Sequence, residues 1–290
     1  MTFKFQLALS ACAVALAAAA SPAQATPYAY ASNVITGLTI TNANGSSIAA
    51  TTATTSISDS AQYDGFGVSG YQARGTVGGS LTVQQAYSGA GSAPAATYTP
   101  QGPGSFTGAR ADAAIGAGSA SSGGVSVSNV AEAYGNALGN SVGTNNAAIS
   151  FTVTGTGQAL SVNFSDLYEL IASTATLLGE SANAAIQNNF SITAAGTSTP
   201  LFTFAPSDLN RQISSVAGIP SNNQVGPTTG TFSFLTPVLT SGTSYNIALT
   251  STASETIQPG VAAVPEPASM GLLGAGLIAI GFLRRRTNIG

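Results

Sequence analysis

The sequence predicts an all-β fold, an antiparallel β-sandwich of jelly-roll-like type with one long Gly/Ser/Pro loop. Several segments alternate hydrophobic and polar residues at period two, as strands with one buried face do. These segments follow one another closely without a long helical pattern between them, which favours antiparallel sheets over βαβ units. Only 6% of the 290 residues are charged, and there is no Trp and no His. This composition is poor in the straight-chain helix formers that a helical bundle needs.

The strand patterns are clearest in the second half, residues 147–262, which we expect to supply most sandwich strands. The segment Ser181–Ala194 alternates over its whole length, with its apolar side chains on one face. Shorter alternating segments lie on both sides of it, and we expect each of them to be a strand. They are Ile149–Val153, Leu160–Phe164, Phe202–Phe204, Phe232–Phe234 and Tyr245–Leu249.

Residues 165–180 fit a helix or a strand. Asp166 could cap a helix, but the threonines and Gly179 that follow favour a strand. A hairpin turn is predicted at Thr240–Thr243, just before the last strand.

One short helix is predicted to begin at Pro206–Leu209. Ser207 would cap it, and Leu209, Ile213 and Val216 would face the core at helical spacing.

The first half, residues 26–146, is a Gly/Ser/Thr-rich β region that we expect to join the same sandwich. Val34–Ile40, Thr76–Tyr87 and Val125–Val130 are predicted strands. Ser88–Gly108 is rich in Gly and Pro and poor in apolar residues, so it is predicted to be a long surface loop.

The N-terminal residues 1–25 are predicted to be a secretory signal peptide with a short signal helix. Lys4 precedes the Leu/Ala-rich run Leu7–Ala20, and Ala23 and Ala25 form the small-x-small pattern of a cleavage site. The alternative is an uncleaved anchor, but the run is short for a membrane span of about 20 residues. Cleavage after Ala25 would remove Cys12, the one cysteine.

The C-terminal end combines a rigid peptide, an apolar segment and a basic cluster. Pro265-Glu266-Pro267 is extended because proline restricts itself and the residue before it. Sixteen uncharged residues, 268–283, follow and predict a transmembrane helix about 24 Å long. Arg284, Arg285 and Arg286 would then stay on the cytoplasmic side and leave the body outside.

These three features, in this order, resemble the PEP-CTERM sorting signal of exosortase-dependent surface proteins, over residues 264–290. The resemblance implies a Gram-negative bacterium that makes extracellular polysaccharide. It also implies that exosortase, a membrane protease, removes the tail and releases the body to the cell surface. The alternative is a permanent inner-membrane anchor with a proline-rich stalk. The signal peptide adds the Sec translocon and signal peptidase as partners.

Charge excludes one class of partner from the body. Between the two ends there are three arginines and nine carboxylates, a balance of six negative charges. Phosphate backbones would be repelled, so nucleic acid is not an expected partner.

Two sequence patterns match catalytic motifs, and we attribute both to the 34 glycines. Gly139–Gly143 matches the G-x-S-x-G nucleophile elbow, which needs a histidine base that this chain lacks. Gly65–Gly70 matches the G-x-G-x-x-G dinucleotide fingerprint but has no strand before it and no helix after it. We expect a turn there and no cofactor. Asp59 and Asp64 match no calcium motif and are interpreted as turn acids.

Two functions are therefore weighed. The first is a non-catalytic surface or extracellular-matrix protein, associated with exopolysaccharide or a biofilm. The second is an enzyme that acts on extracellular polysaccharide through carboxylates such as Asp166, Glu169 or Glu180. It requires these carboxylates to converge in a cleft, about 5 to 10 Å apart.

Overall fold

The computed structural model describes residues 26–46, 48, 50–74, 79–92, 99–117, 125–174, 179–216 and 221–260. These residues form thirteen strands and one short 3-10 helix, Ser207–Leu209. All of them belong to one compact unit. The strands are β1 (Tyr28–Thr41), β2 (Ala50–Tyr63), β3 (Phe66–Arg74), β4 (Gly79–Ala90), β5 (Thr107–Ala117), β6 (Val125–Tyr134), β7 (Gly139–Thr152), β8 (Ser161–Thr174), β9 (Ser181–Ala194), β10 (Phe202–Phe204), β11 (Arg211–Val216), β12 (Ser221–Leu235) and β13 (Ser244–Gln258).

The strands form two antiparallel sheets, which confirms the all-β class. Sheet A has the order β12-β8-β1-β6-β5-β4, and sheet B has the order β10-β9-β13-β7-β2-β3, with β11 also paired to β9. Each sheet combines the two halves of the sequence as two blocks of neighbouring strands, since β12 and β8 lie beside β1, β6, β5 and β4 in sheet A, and β10, β9 and β13 lie beside β7, β2 and β3 in sheet B. The first strand, β1, joins β8 to β6, and the last strand, β13, joins β9 to β7.

The space between the sheets has a hydrophobic part and a part lined by small residues. In the first part large side chains pack closely, as where the rings of Phe164 and Phe190 stack with centroids 4.7 Å apart. In the second part alanines of both sheets meet, among them Ala29, Ala133 and Ala182. Because these side chains are small, the backbones of the two sheets can lie closer together here than in the hydrophobic part.

The close approach is most direct at the strand β7. The Ser141 hydroxyl donates to the Arg110 carbonyl oxygen of β5 at 2.6 Å. A Cβ added at Gly143 would lie 3.1 Å from the carbonyl oxygen of Val130 and 3.3 Å from that of Asp112. Glycine is therefore the residue that fits at position 143 without moving sheet A.

Between these two parts, a chain of buried polar side chains links the sheets. Asn33 Nδ2 of sheet A donates to Asn188 Oδ1 at 2.6 Å and to Ser251 Oγ at 2.8 Å, both in sheet B. Asn129 Nδ2 of sheet A donates to the same Ser251 Oγ at 2.8 Å. Asn145 Nδ2 of sheet B donates to Asn129 Oδ1 at 2.7 Å. All five side chains are buried, and every one of these bonds crosses between the sheets.

The strand predictions of the second half are confirmed. Strand β9 has the predicted bounds, and its residues Ala182, Ala184, Ile186, Phe190 and Ile192 are buried. The ambiguous segment after residue 165 is a strand, the second part of β8. A turn at residues 241–242 precedes β13 as expected, but it does not form a hairpin, because Leu239 pairs with Gln158 and β13 pairs with β7 and β9.

The predicted helix at Pro206 is wrong beyond its first turn. Pro206 itself is the N-cap, and no side chain caps the turn. Leu209 is buried as expected, but Ile213 and Val216 lie on β11, and Val216 is 66% exposed. The physical reason is that the backbone N–H and C=O groups at the edge of β9 are available for hydrogen bonds. Residues 211–216, which include the β-branched Ile213 and Val216, pair with them as a strand.

In the first half the prediction missed β2, β3 and β5 and made the loop too long. Strand β2 consists mainly of Thr, Ser and Ala and strand β5 mainly of Ala, so hydrophobicity alternates only weakly along both. Strand β4 continues to Ala90 and β5 begins at Thr107, so the connection spans residues 91–106 rather than Ser88–Gly108.

Replacing Gly143 by Ala tests the close approach of the sheets. We expect the free energy of unfolding to fall by about 1–3 kcal/mol, because the added methyl group presses on two backbone carbonyls. The matched control is Gly67→Ala in β3, where a Cβ would meet nothing within 4 Å. Urea unfolding of both variants measures the difference. Equal stabilities would contradict the packing described here.

Candidate functional sites: the sorting tail and the carboxylates of the body

The residues predicted to direct export lie outside the described part of the chain. This holds for Ala23 and Ala25 at the signal cleavage site, and for the signal helix and Cys12. It also holds for the C-terminal transmembrane segment and the sorting residues, which are Pro265, Glu266, Pro267, Arg284, Arg285 and Arg286. Within the residues that the structure does describe, helices of membrane-spanning length and hydrophobicity are absent.

The carboxylates of the enzyme hypothesis do not form a pair. Asp166 and Glu169 lie on β8, where residues three apart face opposite sides of a sheet. Asp166 is fully buried between the sheets, whereas Glu169 is on the outer face and accepts a hydrogen bond from Gln224 Nε2 at 3.0 Å. Glu180 is also buried, just before β9 in the other sheet. The helical spacing that would have made Asp166 and Glu169 neighbours does not exist.

The two chance motifs have no catalytic geometry. Ser141 of Gly139–Gly143 lies within the regular strand β7 and is buried, so no strand-to-helix elbow exposes its hydroxyl. Gly65, at φ 80°, ends a tight turn, and the rest of the glycine motif continues into β3. The sequence predicted the turn but not the strand.

The acids considered for calcium also lie apart. Asp59 faces the interior from β2 and is 2% exposed, while Asp64 is an exposed turn residue with φ 51°. Among the described residues, no group of three or more His, Cys, Asp or Glu side chains could hold a metal ion. Asp59 is therefore a core residue and not the turn acid that we had predicted.

A buried ion-pair cluster, which the sequence analysis did not single out, lies on the outer face of sheet A. Arg110 Nε donates to Glu132 Oε2 at 2.7 Å, and Arg110 Nη1 pairs with Asp112. The Tyr28 hydroxyl donates to Glu132 Oε1 at 2.6 Å. Burial, followed by the neighbouring Glu132 charge, raises the pKa of Tyr28. A clue in the sequence was that Arg110 is one of only three arginines in the body.

This cluster holds the end of the connection 91–106 against the sheet. The backbone N–H groups of Gln101 and Gly102 donate to Glu132 Oε1 at 2.9 and 3.1 Å. Arg110 Nη2 donates to the Thr99 carbonyl oxygen at 3.2 Å. Charge-assisted bonds of this kind are stronger than neutral ones. The described end of the connection therefore covers this face of sheet A.

Three further carboxyl groups are buried between the sheets, and the ion pairs found among the described residues do not include them. Burial, and next to it the Asp112 charge, raises the pKa of Asp59 to about 8. Burial raises the pKa of Asp166 to about 7. Burial, with a smaller effect of the Glu132 charge, raises the pKa of Glu255 well above its usual value, although hydrogen bonding by Ser141 acts in the opposite direction. These groups are neutral over part of the pH range in which exposed carboxyls are ionised.

Comparison with known families gives one match. The family model for the PEP-CTERM protein-sorting motif matches residues 263–286, which confirms the resemblance that Pro265-Glu266-Pro267 and Arg284–Arg286 had indicated. Neither the curated proteins nor the solved structures contain a match to the chain.

The buried carboxyls predict that the protein is more stable in acid. Their folded-state pKa values are raised, so the folded protein holds protons that the unfolded chain releases above about pH 4. The free energy of unfolding should fall as the pH rises from about 4 to about 8. Asp59→Asn should reduce this slope by up to about 1.4 kcal/mol per pH unit.

Urea unfolding at pH values from about 5 to about 9, in steps of about one unit, measures how the free energy of unfolding depends on pH. The control is Asp208→Asn, which removes a carboxylate that is 69% exposed. An equal loss of slope in both variants would exclude the burial of Asp59 as its cause. A slope that Asp59→Asn does not alter would show that Asp59 is ionised in the folded protein.

Proposed function

We propose that this chain, which carries a PEP-CTERM protein-sorting motif at residues 263–286, is an exported protein that exosortase sorts and releases. At the cell surface it acts as a non-catalytic component of the surface or the extracellular matrix. The motif carries this proposal, because it implies export and a sorting step at a membrane. The signal peptide of residues 1–25, the Sec translocon and signal peptidase complete the route.

The bounds of the body support processing at both ends. Strand β1 begins at Tyr28, so a cut after Ala25 leaves this strand complete. Strand β13 ends at Gln258, and six residues separate it from Pro265. Removal of a transmembrane helix that begins near Ala268 would therefore leave every strand in place.

The geometry of the body favours a non-catalytic role over the enzyme alternative. The Asp166 carboxyl is buried and the Glu169 carboxylate is on the outer face, so the two cannot act on one glycosidic bond. The chain has no histidine to serve as a general base. The setting that the sorting motif implies, a surface with exopolysaccharide or a biofilm, suits a protein with weakly charged faces.

Replacing Pro265, Glu266 and Pro267 by alanine tests the sorting step. We expect full-length protein to accumulate in the inner-membrane fraction, while the unaltered chain yields a shorter form at the surface or in the medium. The physical reason is that the alanines remove the rigid, extended peptide that exosortase recognises. Immunoblots of cell fractions measure both forms.

The control is Pro237→Ala, an exposed proline of the body, which should be sorted normally. If the triple-alanine chain is shortened and released like the unaltered one, exosortase does not read this peptide and the sorting proposal fails.

Loss of the protein tests the matrix role. Cells without the chain should aggregate differently or form a matrix of altered texture, and the chain supplied on a plasmid should restore both. Sedimentation of the cells and matrix staining measure these properties. Normal aggregation and matrix in the deletion strain, or turnover of a polysaccharide by the purified protein, would contradict the proposal.

A further inference from the structure

The outer face of sheet B is covered by uncharged polar side chains in regular rows. Four neighbouring strands, β9, β13, β7 and β2, align their outward positions across the sheet. In four consecutive rows of these positions, fourteen of the sixteen residues are Ser, Thr, Asn or Gln, and none is charged. The four rows are Asn189-Thr250-Asn146-Ser56, Gln187-Thr252-Thr144-Ser58, Ala185-Ser254-Val142-Ser60 and Asn183-Thr256-Asn140-Gln62.

These rows, which we call the polar face, all reach solvent, with four residues exposed and twelve half-buried. None of the sixteen residues is buried, and they alternate along each strand with residues that face the core. With strands about 4.8 Å apart and alternate residues about 6.8 Å apart, the rows extend over about 14 by 20 Å. The outer face of sheet A differs, since there Tyr28, Tyr30 and Arg110 are buried.

Hydrogen bonds between neighbouring strands hold several of these side chains in place. Thr250 Oγ1 donates to Asn146 Oδ1 at 2.9 Å, and the Thr144 and Thr252 hydroxyls lie 3.3 Å apart. A hydroxyl has one donor and two acceptor positions, and an amide has more. One bond to a neighbour therefore leaves capacity for a ligand, at a lower entropic cost than for mobile side chains.

We propose that the polar face binds a neutral polysaccharide. This inference rests on the proposed function and names the ligand of the exported body. The face suits a long, uncharged polymer rich in hydroxyl groups, which can repeat the same weak hydrogen bonds along successive rows. Many such bonds to one chain combine into useful affinity through multivalency.

The charges of the body argue against an acidic polymer. None of its three arginines lies in the polar face. Arg110 is buried in ion pairs, and Arg211 pairs with Asp208 and lies 5.4 Å from the Tyr168 ring centroid. Even with the buried Asp59, Asp166 and Glu255 counted as neutral, the body has six carboxylates against three arginines. An anionic chain would therefore be repelled.

The chemistry of the rows also argues against a protein partner. Stable protein interfaces have a core enriched in aromatic residues, Met and Arg. The sixteen positions include none of these, and Val142 is their largest apolar side chain. If a second copy of the chain bound here through the same face, the contact would pair hydroxyl groups with hydroxyl groups and would bury little apolar surface.

Affinity electrophoresis of the full chain in mild detergent tests the proposal. Native gels contain dextran, hydroxyethyl cellulose or galactomannan as neutral probes, or alginate as the acidic probe. We expect at least one neutral polymer to retard the unaltered chain and alginate to leave it unaffected. Thr252→Glu, at the centre of the face, should weaken retardation about tenfold or more through loss of the repeated contacts.

The matched control is Thr229→Glu, which adds the same charge at an exposed position of β12 in sheet A and should bind normally. The proposal would be overturned if alginate retards the chain, if none of the neutral polymers retards it, or if both variants are retarded equally. A dimer in sedimentation that Thr252→Glu dissociates would assign the face to a second copy instead. Cell fractionation of Thr252→Glu separates the two proposals, since normal sorting with lost binding leaves the sorting route intact.

Discussion

The hydrogen bonds that cross between the sheets are the constraint on which the rest of this structure depends. Asn33, Asn129, Asn145, Asn188 and Ser251 come from five strands and are linked to one another by hydrogen bonds in the buried space between the sheets. A buried polar group that loses its partner costs about 1–3 kcal/mol. A shift of any one strand by one residue would turn its Asn outward and leave several partners unsatisfied. The polar chain thus fixes the register that small, similar side chains specify weakly.

Small residues and buried acids follow from the same narrow interior. Where alanines and glycines face each other, backbone approaches backbone, and side chains such as Ser141 and Asn145 reach carbonyl oxygens of the opposite sheet. Carboxyls in such a space meet little water, so they retain a proton. The body has few charged residues, and several of them are buried. The described outer face of sheet B consequently carries mainly hydroxyl and amide groups.

The sequence predicts this fold where side chains are large and alternate. Strand β9 was predicted to the residue because Ile186, Phe190 and Ile192 contrast with Asn and Gln between them. Strands β2 and β5 were missed because their Ala, Thr and Ser residues differ little in hydrophobicity. Strand β11 was missed because it depends on pairing with β9, a tertiary contact that the local sequence does not indicate. The sorting tail could be recognised from local residues alone. The Arg110–Glu132 cluster depends on strand neighbours that the sequence does not reveal.

The positions of β1 and β13 have a consequence for how the chain matures. Each is the middle strand that joins the two halves of its sheet, yet they stand first and last in the body. Sheet B remains in two unconnected parts until residue 258 has left the ribosome. The body therefore closes only when its last strand is present, and a chain cut short before β13 would hold sheet B as two separate ribbons.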